Sequence, residues 1–544
     1  MKVKKISLYY FGEQYEGVGV YKMKKRIDKK QCFSCVMLAA LGMQFIIIFC
    51  TNYFKAEKFL DFDAAMAVRH AVEMWRNNTI FLQNFGYTTS MEIDCASFFA
   101  APIYMLTGSY GLGVAIAHLV LDGILAYAIY NLLKNIDVTY EFRILGILLV
   151  FLPYQAGQLS WDNMLFLSVG QYEFRATAAV LLFMLFSSKG KFAVKQWIEL
   201  AVCEFYIALT VLSAGNYLLI ILLIPVALYE VFVILTKQKI DLKDRTLRIT
   251  VLSMAVGCSA FMLRGAMNIS THRGNMNIIK ETEFANNILS CITGAFALFG
   301  GLPNYDLAIF TVEGIGLLTR FVVSCVIFGM GIVAFRSIGR MENQCRNFMM
   351  RFLFLLGVNM FVFLYSNTTY GSAVFEYRYH IVWSILLIII DIMFLAKKWD
   401  QIGKWKKNAL IFCIAMSIIV IDISGFGKLA KENWLNEGVI NFIIEKANER
   451  DVSNIVVADG VTARQMSAVD INKNVQFAIL NEDDGSIVFN TWGSSMDTHV
   501  DAKNIMVIKD EDLEKLSQSI RSAYTEVDTF EGWYILYTED YAWN

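Results

Sequence analysis

The chain has 544 residues, of which 56% are hydrophobic, 14% aromatic and only 18% charged, with a formal net charge of -1 and a mean hydropathy of +0.47. So apolar a composition at this length excludes a soluble multidomain protein and defines a polytopic α-helical membrane protein. Lys and Arg concentrate in a few loops, where topology uses them, and the sequence carries no nucleic-acid signature.

The N-terminal segment, residues 1–31, carries Lys2, Lys4, Lys5, Lys22, Lys24, Lys25, Arg26, Lys29 and Lys30 directly before an apolar run from Cys32 to Tyr53. That run is long enough to span a bilayer, and the basic flank predicts a cytoplasmic N-terminus. No small-residue cleavage site follows it, so it reads as an uncleaved first helix; Met23 is an alternative start. Cys32-x-x-Cys35 has redox spacing but sits at the mouth of an apolar helix with no strand before it. The ten cysteines lie mostly inside apolar runs, with none after Cys413, which reads as inert thiols and not as a disulfide framework.

A polar first outer loop, residues 54–97, follows. Asp61-Phe62-Asp63 opens a helix-like run through Ala64, Met66, Ala67, His70, Ala71 and Met74 to Trp75, and the loop closes with Tyr87 to Asp94. Ala96 to Leu106 is too short to span alone and is broken by Thr107-Gly108-Ser109, which predicts a re-entrant or interfacial hairpin. Spans are expected at Leu112–Leu133, Ile144–Ala156, Thr177–Phe186, Ile198–Leu212, Tyr217–Leu235, Ile249–Met262, Gly314–Ala334, Phe352–Tyr365, Ile381–Leu395 and Leu410–Ile423. With the first, that gives about eleven spans by length and hydropathy. The basic loops around Lys134 and Arg143, Lys189 to Lys191, Lys237 to Arg248, Arg336 to Arg351 and Lys397 to Lys407 then share the cytoplasmic side. The transmembrane region covers residues 32–425, N-in and C-out. Residues 426–544 alternate helix patterns at Asn441–Asn448, Ala463–Val469 and Glu511–Ala523 with strand patterns at Asn454–Ala458, Val475–Leu480, Ile487–Asn490, Asn504–Ile508 and Trp533–Tyr537; they predict a small extracytoplasmic α/β domain without cysteine or nucleophile motif, suited to binding or positioning.

Chemistry is expected at the outer face. Asp61 and Asp63 can supply a general base or a metal ligand, or cap the helix that follows, with Asp63 nearest to that run. Glu92 and Asp94 precede a short apolar stretch and, if it is helical from Ile93, stand at its positive end, placed for an acceptor hydroxyl or a metal. Glu376-Tyr377-Arg378-Tyr379-His380 puts an arginine framed by tyrosines at an outer span end, suited to a phosphate or, equally, to an interfacial anchor. Arg175, beside Gln171, Tyr172 and Glu173, is a second phosphate candidate, with Asp162 and Arg264 behind it. Within the membrane, His118 and Asp122 share a helix face at i, i+4, either as a self-satisfied pair or as a proton relay.

Taken together, the basic start, the single span, Asp61 and Asp63 in an acidic first outer loop, Tyr87 to Asp94 followed by Pro102-Ile103-Tyr104-Met105-Leu106-Thr107-Gly108, the late Glu376-Tyr377-Arg378-Tyr379 and the outer C-terminal domain resemble the GT-C superfamily of integral-membrane glycosyltransferases. The resemblance implies a polyprenyl-phosphate-linked sugar donor, a glycan or lipid acceptor in the cell envelope, and inversion at the anomeric carbon in a multi-pass cell-membrane enzyme. Carried onto this sequence, it makes Asp63 and then Asp61 the catalytic acids, and Arg378 with Tyr379, followed by Arg175, the donor-phosphate contacts. The second acidic motif of oligosaccharyltransferase-type members is absent after Gly157, where Asp162 stands alone, which leaves a divalent metal open. A flippase or transporter of a lipid-linked substrate, and a non-catalytic polysaccharide-binding membrane protein, are the competing readings.

Overall fold

The computed structural model describes residues 29–543 except 88–89, 159, 191, 268–283, 303, 305, 367–376, 482 and 495–497. Thr88, Thr89, Glu376, most of the N-terminal basic cluster and part of the long loop after residue 267 therefore lie outside the described residues. The helical part runs α1 (Lys29–Lys55), α2 (Phe62–Arg76), α3 (Ala96–Thr107), α4 (Tyr110–Asn135), α5 (Tyr140–Val150), α6 (Trp161–Leu165), α7 (Glu173–Ser187), α8 (Val194–Ala214), α9 (Ile224–Lys237), α10 (Arg245–Ala266), α11 (Phe284–Leu298), α12 (Val312–Arg336), α13 (Asn343–Tyr365), α14 (Ile381–Lys398) and α15 (Lys404–Lys431).

Among the described residues, nine helices are long and apolar enough to cross a membrane: α1, α4, α8, α9 with the π-helical turn before it, α10 and α12 to α15. The remaining two expected spans are α5, of 11 residues, and α7, of 15. Every residue of α7 is buried, so protein and not lipid surrounds it and bilayer thickness does not set its length. The predicted hairpin is α3 folded against α4. Gly108, at φ 71°, ends α3, and the Ser109 hydroxyl caps α4 by accepting from Leu112 N at 3.2 Å.

The loops sort into two ends, as the charge pattern requires. At one end Lys189 pairs with Asp137, Lys397 pairs with Glu342, Arg245 donates to Ser188 O, and Gln344 donates to Asn135 O and Ser187 O, which ties the basic loops to one another. At the other end Met91 N donates to Ser213 O, Ala96 N to Val169 O, Arg264 to Ser213 O and Lys428 to Ala156 O. The C-termini of α1 and α15 meet at that second end: Lys55 Nζ donates to Glu432 O at 3.1 Å and Trp434 N to Lys58 O at 2.8 Å.

Beyond α15, α16 (Glu437–Glu449) and α17 (Gly460–Val469) cover one face of a six-stranded sheet in the order β3-β2-β1-β4-β6-β5, and two short helices, α18 (Asp510–Leu513) and α19 (Gln518–Ala523), cover the other. The strands are β1 (Asn454–Val457), β2 (Asn474–Leu480), β3 (Ile487–Phe489), β4 (Asn504–Lys509), β5 (Thr525–Phe530) and β6 (Trp533–Thr538). β1 pairs in parallel with β2 and β4, and its four residues are all buried, as a central parallel strand requires. Two details differ from the sequence reading. The helix expected over Glu511 to Ala523 is broken, because Ser517 N leaves the helical path to bond Gly485 O at 2.9 Å. β5 was not expected; Glu531 and Gly532, at φ 47° and 81°, make the tight turn that folds it back on β6.

This sheet unit docks on the first loop through α17 and α2. Gln465 Nε2 donates to Leu60 O at 2.6 Å and Trp434 O at 2.7 Å, Tyr104 OH donates to Ala468 O at 2.9 Å and Val469 O at 2.8 Å, and Arg69 donates to Ile471 O at 3.1 Å. Gly86 pairs with Trp492 as a strand bridge. Gln465→Ala leaves two inward carbonyls without that donor, at about 1–3 kcal/mol each. Faster hydrogen exchange in α17 and at the start of α2, with the rest of the sheet unchanged, is the expected outcome.

Candidate functional site

α2 begins where the chain turns inward after a short 3-10 turn at Glu57–Phe59. The cap is Asp61, not Asp63 as the sequence reading favoured: its carboxylate accepts from Ala64 N at 2.8 Å, and Asp63 lies in the first turn, exposed. Asp61 is half-buried, and burial pushes its carboxyl up to about 7; the neighbouring Asp63 charge adds to the rise, while the Ala64 hydrogen bond and the Arg378 guanidinium oppose it. Phe62 lies 6.1 Å from the Trp492 ring, so the sheet unit reaches the same place.

The segment after Tyr87 does not start a helix at Ile93. α3 starts at Ala96 with Cys95 in the cap position, so Glu92 and Asp94 do not occupy its first turn. Glu92 sits at φ 53° and is buried, its N–H donating to Ser90 Oγ at 3.1 Å. Asp94 instead turns to Arg175: Nε and Oδ2 are 3.4 Å apart, both groups are buried, and the Ser213 hydroxyl adjoins the carboxylate. Burial raises the Asp94 carboxyl above its ordinary range, and Arg175 and Ser213 hold that rise back.

Arg175 stands over two aromatic rings, its Cζ 4.4 Å from the Tyr172 centroid and 4.9 Å from that of Tyr217. Tyr379 closes the group, 6.4 Å from Tyr172 and 6.0 Å from Tyr217. The Arg378 guanidinium stands 5.7 Å from the Tyr379 ring, half-buried, and its charge is felt at both Asp61 and Arg175. Arg264, also buried, donates to Ser213 O. Asp61, Asp94, Arg175, Arg264, Arg378 and Tyr379, drawn from five separate segments, thus come to one region near the sheet unit.

Asp162 is set apart, buried in α6 with Ser160 capping that turn at Asn163 N. Burial pushes its carboxyl up to about 7, against the fields of Arg320 and Lys428, and Tyr377 is the part of the late motif nearest to it. The pair His118 and Asp122 acquires a partner the sequence reading missed, Glu173, whose carboxylate lies 3.2 Å from His118 Nδ1. Tyr172, Tyr217 and Ser213 were missed as walls of the site; the signal available was their place at outer span ends beside Arg175 and Gly215.

No family model matches the chain, and no curated protein matches it. Among solved structures it is similar to ArnT from Cupriavidus metallidurans in the apo state, at 11% identity over 91% of this chain and 97% of that one, with a TM-score of 0.39. The functional reading therefore rests on the chain's own residues.

The Asp61 carboxyl is expected to titrate near neutrality. Infrared difference spectra across pH 5 to 9, with the band assigned by its loss in Asp61→Asn, check this. In Arg378→Ala the midpoint moves upward, because removing a nearby cation disfavours the carboxylate.

Proposed function

We propose that the chain is an integral-membrane glycosyltransferase that moves a sugar from a polyprenyl-phosphate donor to a glycan or lipid acceptor at the outer membrane face. The observation that carries this reading is the convergence of Asp61 with Arg378, Arg175 and Tyr379 next to the site where the sheet unit docks. A donor of this kind needs a cation for its phosphate and an apolar path for its chain, and it needs no nucleotide site. Arg378 supplies the phosphate contact, since a guanidinium presents paired donors to phosphate oxygens. Arg175, already paired with Asp94 and stacked on tyrosines, positions that wall of the pocket and adds positive field.

Asp61 takes the role of general base, ahead of Asp63. A base works best when its proton affinity lies near the working pH, and burial gives Asp61 that value while Asp63 stays in water. The acceptor hydroxyl loses its proton to Asp61 as its oxygen attacks the anomeric carbon. The bond to the phosphate oxygen breaks on the opposite face, and polyprenyl phosphate leaves with the bonding pair, its charge met by Arg378. With Asp94 committed to Arg175, Glu92 and Asp63 remain the acids for the acceptor side or a divalent metal, and the resemblance leaves that metal open.

Sugar transfer from a panel of polyprenyl-phosphate sugars by the protein in liposomes tests the assignment. Asn caps helices as well as Asp does, so Asp61→Asn keeps the start of α2 and removes the base. It is expected to lower the transfer rate by about 10²–10⁴-fold, while Asp63→Asn costs less and Arg378→Ala raises the donor KM. Full transfer by Asp61→Asn contradicts the role. Absence of transfer from any donor by folded wild type, with lipid-linked sugar moved across the bilayer instead, selects the flippase reading.

A further inference from the structure

A second cluster of ionisable side chains lies outside this site, where α4 packs on the first turn of α7. His118 and Asp122, one turn apart on α4, face Glu173, the first residue of α7, and all three are fully enclosed, at 1%, 1% and 0% exposure. His118 Nδ1 stands 3.2 Å from Glu173 Oε2 and 3.8 Å from Asp122 Oδ1, and the three donor atoms lie within 4.8 Å of one another. None of these atoms makes a hydrogen bond in the structure, and neither oxygen of Glu173 does. Among the described residues no Lys or Arg pairs with either carboxylate.

Two features argue against a simple hydrogen-bonded trio. With a neutral imidazole and both acids ionised, the form that binds a cation, the cluster holds two buried negative charges, and an uncompensated buried ion costs several kcal/mol. The separations, moreover, are long for charge-assisted hydrogen bonds, which fall at about 2.7–2.9 Å. The His118–Glu173 separation of 3.2 Å is close to the edge of a tetrahedron around a cation, since bonds of about 2.0–2.1 Å to nitrogen and oxygen place neighbouring ligands roughly 3.3 Å apart, and a small inward turn of the Asp122 carboxylate closes the wider 3.8 Å gap.

The surroundings also hold the imidazole as a ligand is held. Its Nε2 lies 3.1 Å from Ser168 O, so the ring donates there, and in the neutral imidazole Nδ1 is then an acceptor turned to the carboxylates. That carbonyl is fixed by strain and by α1. Ser168 sits at φ 52°, and Asn52, fully buried, accepts from Ser168 N at 2.9 Å and donates to Phe166 O at 3.0 Å. Gly170, at φ 58°, is required beside it, since a Cβ there comes within 2.7 Å of His118 Cε1 and 3.3 Å of Glu173 Oε2.

We propose that His118, Asp122 and Glu173 bind one divalent first-row transition ion, of the Zn²⁺ or Mn²⁺ kind, that fastens α7 to α4. One imidazole with two carboxylates is a nitrogen and oxygen donor set that such ions accept, and two positive charges neutralise the cluster. The ion is a structural one: Glu173 directly follows Tyr172 and stands two residues before Arg175, so fixing the first turn of α7 fixes the tyrosine and guanidinium wall of the donor pocket. The site is separate from any metal held by the acids of the first loop.

The test is the metal content of full-length protein purified in detergent through a tag that needs no immobilised metal, in chelator-free buffer. About one equivalent of a first-row ion per chain in wild type, falling to background in His118→Ala and in Glu173→Gln, is the expected result. Wild type at background, or content unchanged in both variants, overturns the proposal; the first outcome assigns the cluster to shared protons. A variant-free check covers substitutions that fail to fold: X-ray absorption of wild type grown with Co²⁺. A nitrogen and oxygen shell that includes imidazole supports the site, and a shell with sulfur or without imidazole overturns it. Neither readout depends on sugar transfer, so the failure of the transferase reading and of this one are distinguishable.

Discussion

Arg175 brings a positive charge into the protein interior, and the surrounding end of the bundle is arranged to meet that charge. Asp94 supplies the counter-ion from the loop before α3, Tyr172 and Tyr217 offer their faces, and Ser213 links the carboxylate to the end of α8. Removing one partner of such a buried pair strands the other, at several kcal/mol. The pair therefore fixes three segments at once: the tail of the first loop, the start of α7 and the α8–α9 connection. Tyr379 packs near Tyr172 and Tyr217, with Arg378 beside it.

The same economy governs the docking of the sheet unit. α2 has one face against the bundle and another against α17, and its start is held by a carbonyl clamp from Gln465 and by the Asp61 cap. An acid that must cap a helix and also lie under a covering domain is kept partly dry, and this drives its proton affinity upward. The chemical usefulness of Asp61 is in this sense a product of packing. Asp63, two residues on, lies exposed in the first turn.

Much of this was legible in the chain. Long apolar runs with basic flanks gave the spans and their sorting into two ends, because hydropathy and loop charge are local properties. The alternating α/β pattern after residue 426 was legible for the same reason, down to the strand at Asn454–Val457. Two kinds of feature were not. Which of Asp61 and Asp63 is the cap depends on where α2 starts, and a shift of two residues lies within the reach of propensity alone. Glu173 joins His118 and Asp122 across some fifty residues of sequence, and periodicity along one helix says nothing about what the next helix presents. The break between α18 and α19 is of the same kind: Leu513, Leu516 and Ile520 have helical spacing, yet Ser517 is claimed by the Gly485 carbonyl.

The account stands on a phosphate-bearing lipid being held beside Arg378 and Arg175. The most direct measurement is binding of a polyprenyl phosphate, set against the matching polyprenol, to the full-length protein in nanodiscs, for wild type and Arg378→Ala. The account predicts that wild type prefers the phosphate and that Arg378→Ala loses the preference while still taking up the polyprenol. Equal binding of both lipids by wild type, or a preference unchanged in the variant, contradicts it.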